Sequence, residues 1–196
     1  TSDIPWTCGL EFDYANDESF YCRPLRTGDG KQPERMPVPP EAAGVQVAFL
    51  PPMSGLAATE AKLEPGRINV LVGEGQTAQL LRNLCYQIFE RDPKGDWVLL
   101  VNYIRDLFGV TLEDPKFIAD RGEITMAYKE HNAVRLDLSS SGRGLQQTLL
   151  LLAHLYANPR TVLLLDEPDA HLEILRQRQI YTLLTDVASS QGSQII

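Results

Sequence analysis

The segment TVLLLDEPDAHLE, residues 161–173, constrains the fold more than any other part of this sequence. Residues 162–165 are aliphatic without a polar break, and a run of this kind predicts a strand that is buried on both faces of a parallel sheet. Ligands of such sheets collect beyond the carboxyl ends of the strands. Two acids, Asp166 and Glu167, follow the run directly. We therefore expect both acids to lie at a functional site.

The regular elements around this strand indicate the fold class. Apolar spacing predicts a Leu-rich helix over residues 145–156, a strand over 161–165, a helix over 172–187 and a final strand that begins near Ser193. A strand, a helix and a second strand in that order indicate a parallel crossover unit. The predicted fold class is therefore α/β, with parallel core strands.

We divide the rest of the chain by composition and periodicity. Residues 1–44 are predicted to form a β-hairpin and a Pro-rich loop, and Cys8 could face Cys22 across a turn near Asn16. Residues 45–137 are predicted to form a helical and antiparallel lobe. That lobe would contain a strand over 45–50 and helices over 77–89 and 97–108. It would also contain a small meander over 117–138, with turns near residues 121–122 and 131–132. Residues 138–196 form the third part.

The charge balance limits the classes of partner. A formal net charge of -8 and a pI near 4.9 argue against a broad nucleic-acid surface on this chain, because such a surface concentrates Lys and Arg. No apolar run reaches the length of a membrane span, and the start resembles no signal peptide. We expect a soluble, cytoplasmic protein with no membrane partner. The missing initiator Met and the end at GSQII lead us to expect a longer natural protein.

The acid pair, Asp166 and Glu167, suits one kind of chemistry in particular. Successive acids on an extended chain point in different directions, so one can hold a metal ion while the other approaches a reacting water. Phosphoryl transfer needs both, because Mg²⁺ neutralises phosphate charge and a carboxylate orients the nucleophile. The alternative is that the acids merely favour the positive end of the helix that follows.

The chain resembles a known family over residues 138–196. The segments LSSSGRGLQQTLLLLAHL, TVLLLDEP and DAHLE look like the signature helix, the Walker B strand and the D-loop of ABC-type ATPase heads. The resemblance is to the RecF and SMC-like branch, often labelled AAA family ATPases. It implies a P-loop NTPase-like ABC ATPase head with a small β-rich and helical lobe. It also implies ATP and Mg²⁺ as cofactors, a second head as partner, and DNA as a possible partner of the full-length protein.

The same resemblance assigns roles to individual residues. Asp166 would serve Mg²⁺, and Glu167 would be the catalytic carboxylate that polarises water. Ala170 and His171 would belong to the D-loop, residues 170–173. The signature segment, residues 141–144, would present backbone N–H groups to a γ-phosphate held by a second subunit. The signature residues are Ser141, Gly142, Arg143, Gly144 and Gln146.

The signature departs from the common Leu-Ser-Gly-Gly-Gln pattern. Arg143 stands between the two glycines, and the register of the signature Ser is not fixed. Two interpretations of Arg143 remain open: contact with a phosphate across the dimer, and a solvated surface charge.

The P-loop pattern G-x-x-x-x-G-K-[ST] is absent from the sequence. GDGKQ, residues 28–32, has Gly followed by Lys, but no strand precedes it and no Ser or Thr follows the Lys. INVLVGEGQ, residues 68–76, offers a strand-like run and a Gly turn before a helix, but it lacks the Lys, and Glu74 would repel phosphate. We interpret Gly73 and Gly75 as a turn. The family's switch His would follow the last residue of the sequence.

Two functions compete at this point. The first is an ATP-binding and ATP-hydrolysing head whose nucleotide-driven dimerisation powers a DNA-related process such as repair, chromosome maintenance or phage defence. The alternative is a non-hydrolytic scaffold or protein-interaction module with an incomplete ATPase fold. The intact acid pair favours the enzyme, and the missing P-loop favours the module. His131, His154 and His171 show no metal-ligand spacing, and we expect His154, on the Leu-rich helix, to be a packed or capping residue.

Overall fold

A computed structural model describes residues 5–16, 19–28, 34–53, 55–130, 134–169 and 171–196. The chain divides into two compact units, Thr1–Val45 and Gln46–Ile196, which are described separately. The elements of the first unit are β1 (Leu10–Asn16), β2 (Ser19–Pro24), β3 (Arg26–Thr27), β4 (Glu34–Arg35) and a 3-10 helix (Pro40–Gly44).

The first unit contains the predicted hairpin. Strands β1 and β2 pair antiparallel, and Phe12 lies opposite Cys22. The expectation that Cys8 faces Cys22 is therefore wrong, since Cys8 precedes β1, and both thiols are free. Arg35 on β4 donates hydrogen bonds from Nη1 to Glu11 Oε1 at 2.8 Å and to the Pro24 carbonyl at 2.7 Å. These contacts fix β4 against the hairpin.

The second unit carries the α/β core. Its described helices are α1 (Pro65–Gly73), α2 (Leu81–Arg91), α3 (Asp96–Phe108), α4 (Arg143–Ala157) and α5 (Ile174–Ser190). Its described strands are β5 (Gln46–Leu50), β6 (Thr111–Leu112), β7 (Lys116–Ile118), β8 (Glu123–Thr125), β9 (Ala127–Lys129), β10 (Arg135–Asp137), β11 (Thr161–Leu165) and β12 (Gln194–Ile195).

The core sheet has the order β12-β11-β5, and β11 is parallel to both neighbours. The predicted crossover from β11 through α5 to β12 is therefore present. Leu165 at the end of β11 lies opposite Leu50 at the end of β5, so the carboxyl ends of these two strands meet at one edge. The sequence assigned β5 to the lobe over 45–137, whereas the strand belongs to the core sheet.

Helix α4 forms the centre of the core. Leu149, Leu150, Leu151 and Leu152 are all fully buried, and a helix that is apolar all round is one that other elements surround. Helices α2, α3 and α5 pack against it. The Leu-rich pattern predicted this helix, which extends two residues further towards the N-terminus than expected.

Residues 68–72 were predicted to be strand-like, and this expectation is wrong. They lie inside α1, which starts with Pro65, a residue whose fixed φ and missing N–H suit the first turn of a helix. Ile68, Leu71 and Val72 are buried at helical spacing. The β-branched residues in this run suggested a strand, but the packing of one helical face decides the conformation.

Short antiparallel pairs make up the rest of the second unit. Strand β7 pairs with β8, and β9 pairs with both β6 and β10. The predicted turn at Arg121 and Gly122 joins β7 to β8, and Gly122 has the left-handed φ of 65° that this turn needs. The second predicted turn, at His131 and Asn132, lies outside the described residues. Within the described ranges, no helix is both long and apolar enough to cross a membrane.

Candidate functional site

The acid pair lies where the sequence predicted, at the carboxyl end of β11. Asp166 and Glu167 are both exposed, and the Asp166 N–H donates to the Leu50 carbonyl at 3.4 Å. Neither carboxylate forms an ion pair or a side-chain hydrogen bond with another residue that the structure describes. Both acids are therefore available to a ligand from the solvent side.

The backbone at Glu167 is strained. Its φ is 44°, in the left-handed region where side chains other than glycine cost roughly 1–2 kcal/mol. Strained residues of this kind cluster at functional sites. The regular strand conformation of β11, which ends at Leu165, is therefore not continued at Glu167.

The donor set of the acid pair fits Mg²⁺. This ion usually keeps several water molecules and binds to proteins through one or two carboxylates together with substrate phosphates. Among the residues that the structure describes, no group of three or more His, Cys, Asp or Glu side chains could hold a metal ion alone. A magnesium ion at Asp166 would thus complete its coordination with phosphate and water oxygens.

The loop that follows β5 borders the same edge of the sheet. The Met53 N–H donates to Gln147 Oε1 at 2.7 Å, and Met53 and Gln147 are each 1% exposed. Gln147 lies on α4, so this buried bond ties the end of β5 to the central helix. The central helix therefore stabilises the edge of the sheet that carries the acid pair.

The signature segment bridges two helical turns. A 3-10 turn over Leu138–Ser140 leads to Ser141, and Gly142 is the N-cap of α4. No side chain caps this helix, so its first N–H groups lack the partner that a Ser or Asp at the N-cap would give them. Such groups attract anions. Arg143 is exposed and forms no ion pair with another described residue.

Gln146 lies behind the signature segment and not on its surface. It is 3% exposed, and its Nε2 donates to the Ser141 carbonyl at 3.0 Å. Longer contacts of 3.4 Å reach the carbonyls of Leu138 and Ser139. Gln146 thus holds the segment through its backbone. That Gln146 contributes to an ATP site on a second head stays a prediction.

Gly144 brings the signature segment into close contact with the D-loop. A Cβ atom at this position would lie 2.8 Å from the His171 carbonyl oxygen and 2.9 Å from Leu172 Cδ2. Real Cβ atoms essentially never come this close to a backbone atom, so only glycine fits here without a shift of the chain. Gly142, in contrast, has open space around it.

A cleft of about 280 Å³ joins these segments. Its walls include Ser141, Gly142 and Gly144 from the signature segment, and His171 from the D-loop. The structure therefore brings these four predicted residues together. Asp166, Glu167, Arg143 and Gln146 do not line this cleft, and Ala170 lies outside the described residues.

A positively charged side chain that the sequence analysis did not predict, that of Arg176, also lines the cleft. Arg176, in the first turn of α5, donates from Nη1 to the Leu107 carbonyl at 2.8 Å and stacks over the Phe108 ring at 5.1 Å. Arg176 follows Glu173 by three residues in the helix after the D-loop, and this spacing of an acid and a base is the sequence signal that could have found it. Arg176 ties the D-loop side of the cleft to the end of α3.

Two of the three histidines, His154 and His171, lie within the described residues. His154 is 2% exposed on α4, and burial lowers its pKa to about 4, so the ring is neutral near pH 7. Its Nδ1 lies 3.4 Å from Asn158 Nδ2. His131 is outside the described residues. The expectation that His154 is a packed residue is confirmed.

The glycine turn that imitates a P-loop is a helix end. Gly73 is the last residue of α1, and Gly75 has a left-handed φ of 70°. A helix precedes this turn, whereas a P-loop follows a strand. The prediction of a turn is confirmed at Gly75, whereas Gly73 belongs to the helix. Most of GDGKQ lies outside the described residues.

A core of parallel strands with exposed acids at its carboxyl edge is an arrangement that P-loop ATPases share. Residues 65–196 match the family described as "AAA domain, putative AbiEii toxin, Type IV TA system". This match covers more than half of the chain, and the chain belongs to that family. The identification as an AAA family ATPase and the predicted α/β fold with parallel core strands are confirmed.

Two further comparisons were made. No curated protein matches the chain. Among solved structures, a crystal structure of the Smc head domain with a coiled coil and joint from Pyrococcus yayanosii is similar, with 16% sequence identity and a TM-score of 0.43. The match covers 67% of this chain and 25% of that one, so this chain spans about a quarter of the length of that protein chain.

Proposed function

We propose that the chain is part of an ATP-hydrolysing head of the ABC type, in the RecF and SMC-like branch, that works in the cytoplasm as a dimer. The observation that carries this proposal is the acid pair at the carboxyl end of β11, exposed and without protein partners among the described residues. A structural role would give these acids a partner or a helix to cap. Glu167 in addition keeps a strained backbone, which selection for stability alone would remove.

The two acids would divide the work. Asp166 would hold Mg²⁺, and this ion would neutralise charge on the phosphates of ATP. Glu167 would accept a hydrogen bond from the attacking water and orient it towards the γ-phosphate. With two carboxylates at the same strand end, one acid would bind the ion while the other would remain a base.

The signature segment would serve a nucleotide held by the second head. The N-terminus of α4 offers uncapped N–H groups, and the segment is exposed at Gly142 and Arg143. Contact with the γ-phosphate in trans would couple ATP binding to closure of the dimer, and hydrolysis would release it. The His171 backbone, which packs on Gly144, would link the D-loop to the same movement.

We propose that the head drives a DNA-related process. The family description names a putative toxin of a toxin–antitoxin system, and defence against phage is one of the DNA-related outputs that the resemblance implies. Repair and chromosome maintenance are the others. We propose that any DNA contact lies elsewhere in the full-length protein, since a formal net charge of -8 disfavours a broad nucleic-acid surface on this chain.

The test is Mg²⁺-dependent ATP hydrolysis by the natural full-length protein, with the Glu167→Gln variant beside it. The variant removes the base but keeps the size of the side chain, so we expect turnover to fall by roughly 10²- to 10⁴-fold while ATP binding remains. Glu64→Gln is the matched control, since Glu64 is exposed and its side chain caps nothing. Equal turnover in both variants would remove Glu167 from catalysis, and an inactive wild type would favour the scaffold function.

A further inference from the structure

Arg82 is a fully buried charge outside the predicted site. It is 1% exposed at the start of α2, and its neighbours Leu80 and Leu81 are completely buried. Burying an arginine is costly unless charged or polar partners surround it. Its Nη1 donates to the Ala57 carbonyl at 2.8 Å. The remaining partners of this guanidinium show what it does.

The first charged partner is Glu60. Its Oε2 lies 3.8 Å from Arg82 Nη1, and its two oxygens accept hydrogen bonds from the N–H groups of Arg82 and Asn83 at 3.0 and 2.6 Å. Burial raises the pKa of Glu60 and outweighs these bonds, which act in the opposite direction. The Arg82–Glu60 contact is longer than the contact of Arg82 with a second carboxylate, which lies 3.0 Å from Nη2.

That second carboxylate is Asp137, directly before the turn that leads to the signature segment. Arg82 Nη2 donates to Asp137 Oδ1 at 3.0 Å. The same oxygen accepts hydrogen bonds from the Ser139 N–H at 2.8 Å and from Ser139 Oγ at 2.7 Å. Partial burial raises the pKa of Asp137, but these hydrogen bonds and the charge of Arg82 prevail and lower it. Asp137 is thus held as an anion between Arg82 and the turn.

The turn passes this constraint to the signature segment. Ser141 donates from N–H at 3.1 Å and from Oγ at 2.7 Å to the Leu138 carbonyl. From the other side, Gln146 Nε2 donates to the Ser141 carbonyl. The position of Ser141, and with it the start of α4, therefore depends on a hydrogen-bond chain that begins at a buried charge 55 residues earlier than Asp137.

We propose that Arg82 and Asp137 are positioning residues that hold the signature segment in the conformation that meets a nucleotide on the second head. This inference rests on the proposed function. Neither residue touches the nucleotide in this scheme. Arg82 fixes Asp137, Asp137 caps the turn over Leu138–Ser140, and the turn sets the direction of the N–H groups at the start of α4. The contacts span helix α2, strand β10 and helix α4, so the lobe and the signature helix are joined at this point.

A purely structural ion pair would predict something different. The Asp137 side chain is 50% exposed, so its contribution to the folding of the core is limited. Its three hydrogen bonds from Arg82 and Ser139 nevertheless all converge on one oxygen at the base of the turn. A change at Asp137 should therefore alter the turn more than the core.

The test uses the full-length protein with Asp137→Ala and, as the matched control, Arg135→Gln. The control breaks an arginine–carboxylate contact of similar length, 2.7 Å to Glu113, on the same strand but away from the turn. In Asp137→Ala we expect kcat to fall by roughly 10- to 100-fold, because the N–H groups are misplaced, while the Kd for ATP stays unchanged. Amide hydrogen exchange without nucleotide should quicken at residues 139–142 and not in α4 beyond residue 148.

Arg82→Lys and Ser139→Ala give independent checks. Lysine keeps the positive charge but loses the planar fork that reaches both Ala57 and Asp137, so the same selective loss of kcat is expected. Ser139→Ala removes only the Oγ bond and should give a smaller loss of the same kind.

Two outcomes would overturn the inference. One is a variant whose exchange at 139–142 matches the wild type. The other is a fall in activity that equals the fall in folded protein, which would make the pair structural only. If wild-type protein neither hydrolyses ATP nor dimerises with it, the proposed function fails, and the exchange measurement still reports separately whether Arg82 and Asp137 fix the segment.

Discussion

The signature segment and the acid pair differ in how much of their geometry the chain itself fixes. Three contacts hold the signature segment: Asp137, which is paired with Arg82, the Gln146 amide, and the His171 backbone against Gly144. Asp166 and Glu167 are exposed, and no described residue pairs with either carboxylate. We call the signature segment the built region, because contacts within the protein fix its conformation. We call the acid pair the open region, because no described residue fixes its carboxylates.

The difference follows from what each region would bind. Backbone N–H groups stabilise a phosphate only when their directions are set beforehand, since a flexible loop would lose entropy on binding. Carboxylates that share an ion and a water with the substrate need access to solvent and freedom from competing cations. Residues that stabilise the fold and residues that we propose for catalysis therefore lie in different parts of this chain.

The largest effect is expected from Arg82→Met. Removal of the guanidinium leaves Glu60 buried without its charged partner, and breaking a buried pair in this way costs about 3–5 kcal/mol. Asp166→Asn should change the free energy of unfolding by less than about 0.5 kcal/mol, since surface positions without partners have little effect. Urea denaturation of both variants measures the two values. Similar losses in the free energy of unfolding for the two variants would contradict the difference between the two regions.

Asp166→Asn has a second, functional result that sharpens the contrast. If the carboxylate serves Mg²⁺, the variant should need a higher magnesium concentration for half-maximal turnover, even though it folds like the wild type. An unchanged magnesium dependence would contradict the assignment of Asp166.

Gly144→Ala tests the contact between the signature segment and the D-loop. The added Cβ would meet the His171 carbonyl at 2.8 Å, and overpacking typically costs about 1–3 kcal/mol, of which the better helix propensity of alanine returns up to about 1 kcal/mol. We expect a net loss of about 1–2 kcal/mol by thermal or urea unfolding. Gly142→Ala is the control, because its Cβ would meet nothing within 4 Å. Equal losses in the two variants would show that the close approach at Gly144 has no energetic weight.

The sequence predicted the open region better than the built one. The acid pair could be placed because a continuous aliphatic run, residues 162–165, announces a parallel strand whose end is a ligand edge. The central helix α4 was equally clear from its leucines. These signals are local: each is contained within a few residues, and the structure preserves them.

The constraints on the signature segment are not local, and sequence reasoning missed them. Arg82 and Asp137 are 55 residues apart, and no pattern in either segment names the other. The charge inside LLRNLC was the only hint, since an arginine among buried leucines needs a partner. The close approach of the D-loop backbone to Gly144 also has no signal in the sequence around either residue. The helix α1 was missed for a different reason, because its β-branched residues favour strands until packing is known.

The smallest effect is the sharpest test of the separation between stability and catalysis. Glu167 has a φ of 44°, and glycine adopts this conformation without the steric cost that other residues bear. Glu167→Gly should therefore stabilise the fold, by up to about 1 kcal/mol, while it abolishes turnover. The same substitution at Glu90, inside α2, should instead cost about 1 kcal/mol, because glycine weakens a helix. If urea denaturation gives changes in the free energy of unfolding with opposite signs at the two positions, the strain at Glu167 is retained for chemistry. A loss of stability at both positions would mean that contacts of the glutamate itself hold the turn at the acid pair. The protein would then fix the acid pair as firmly as it fixes the signature segment.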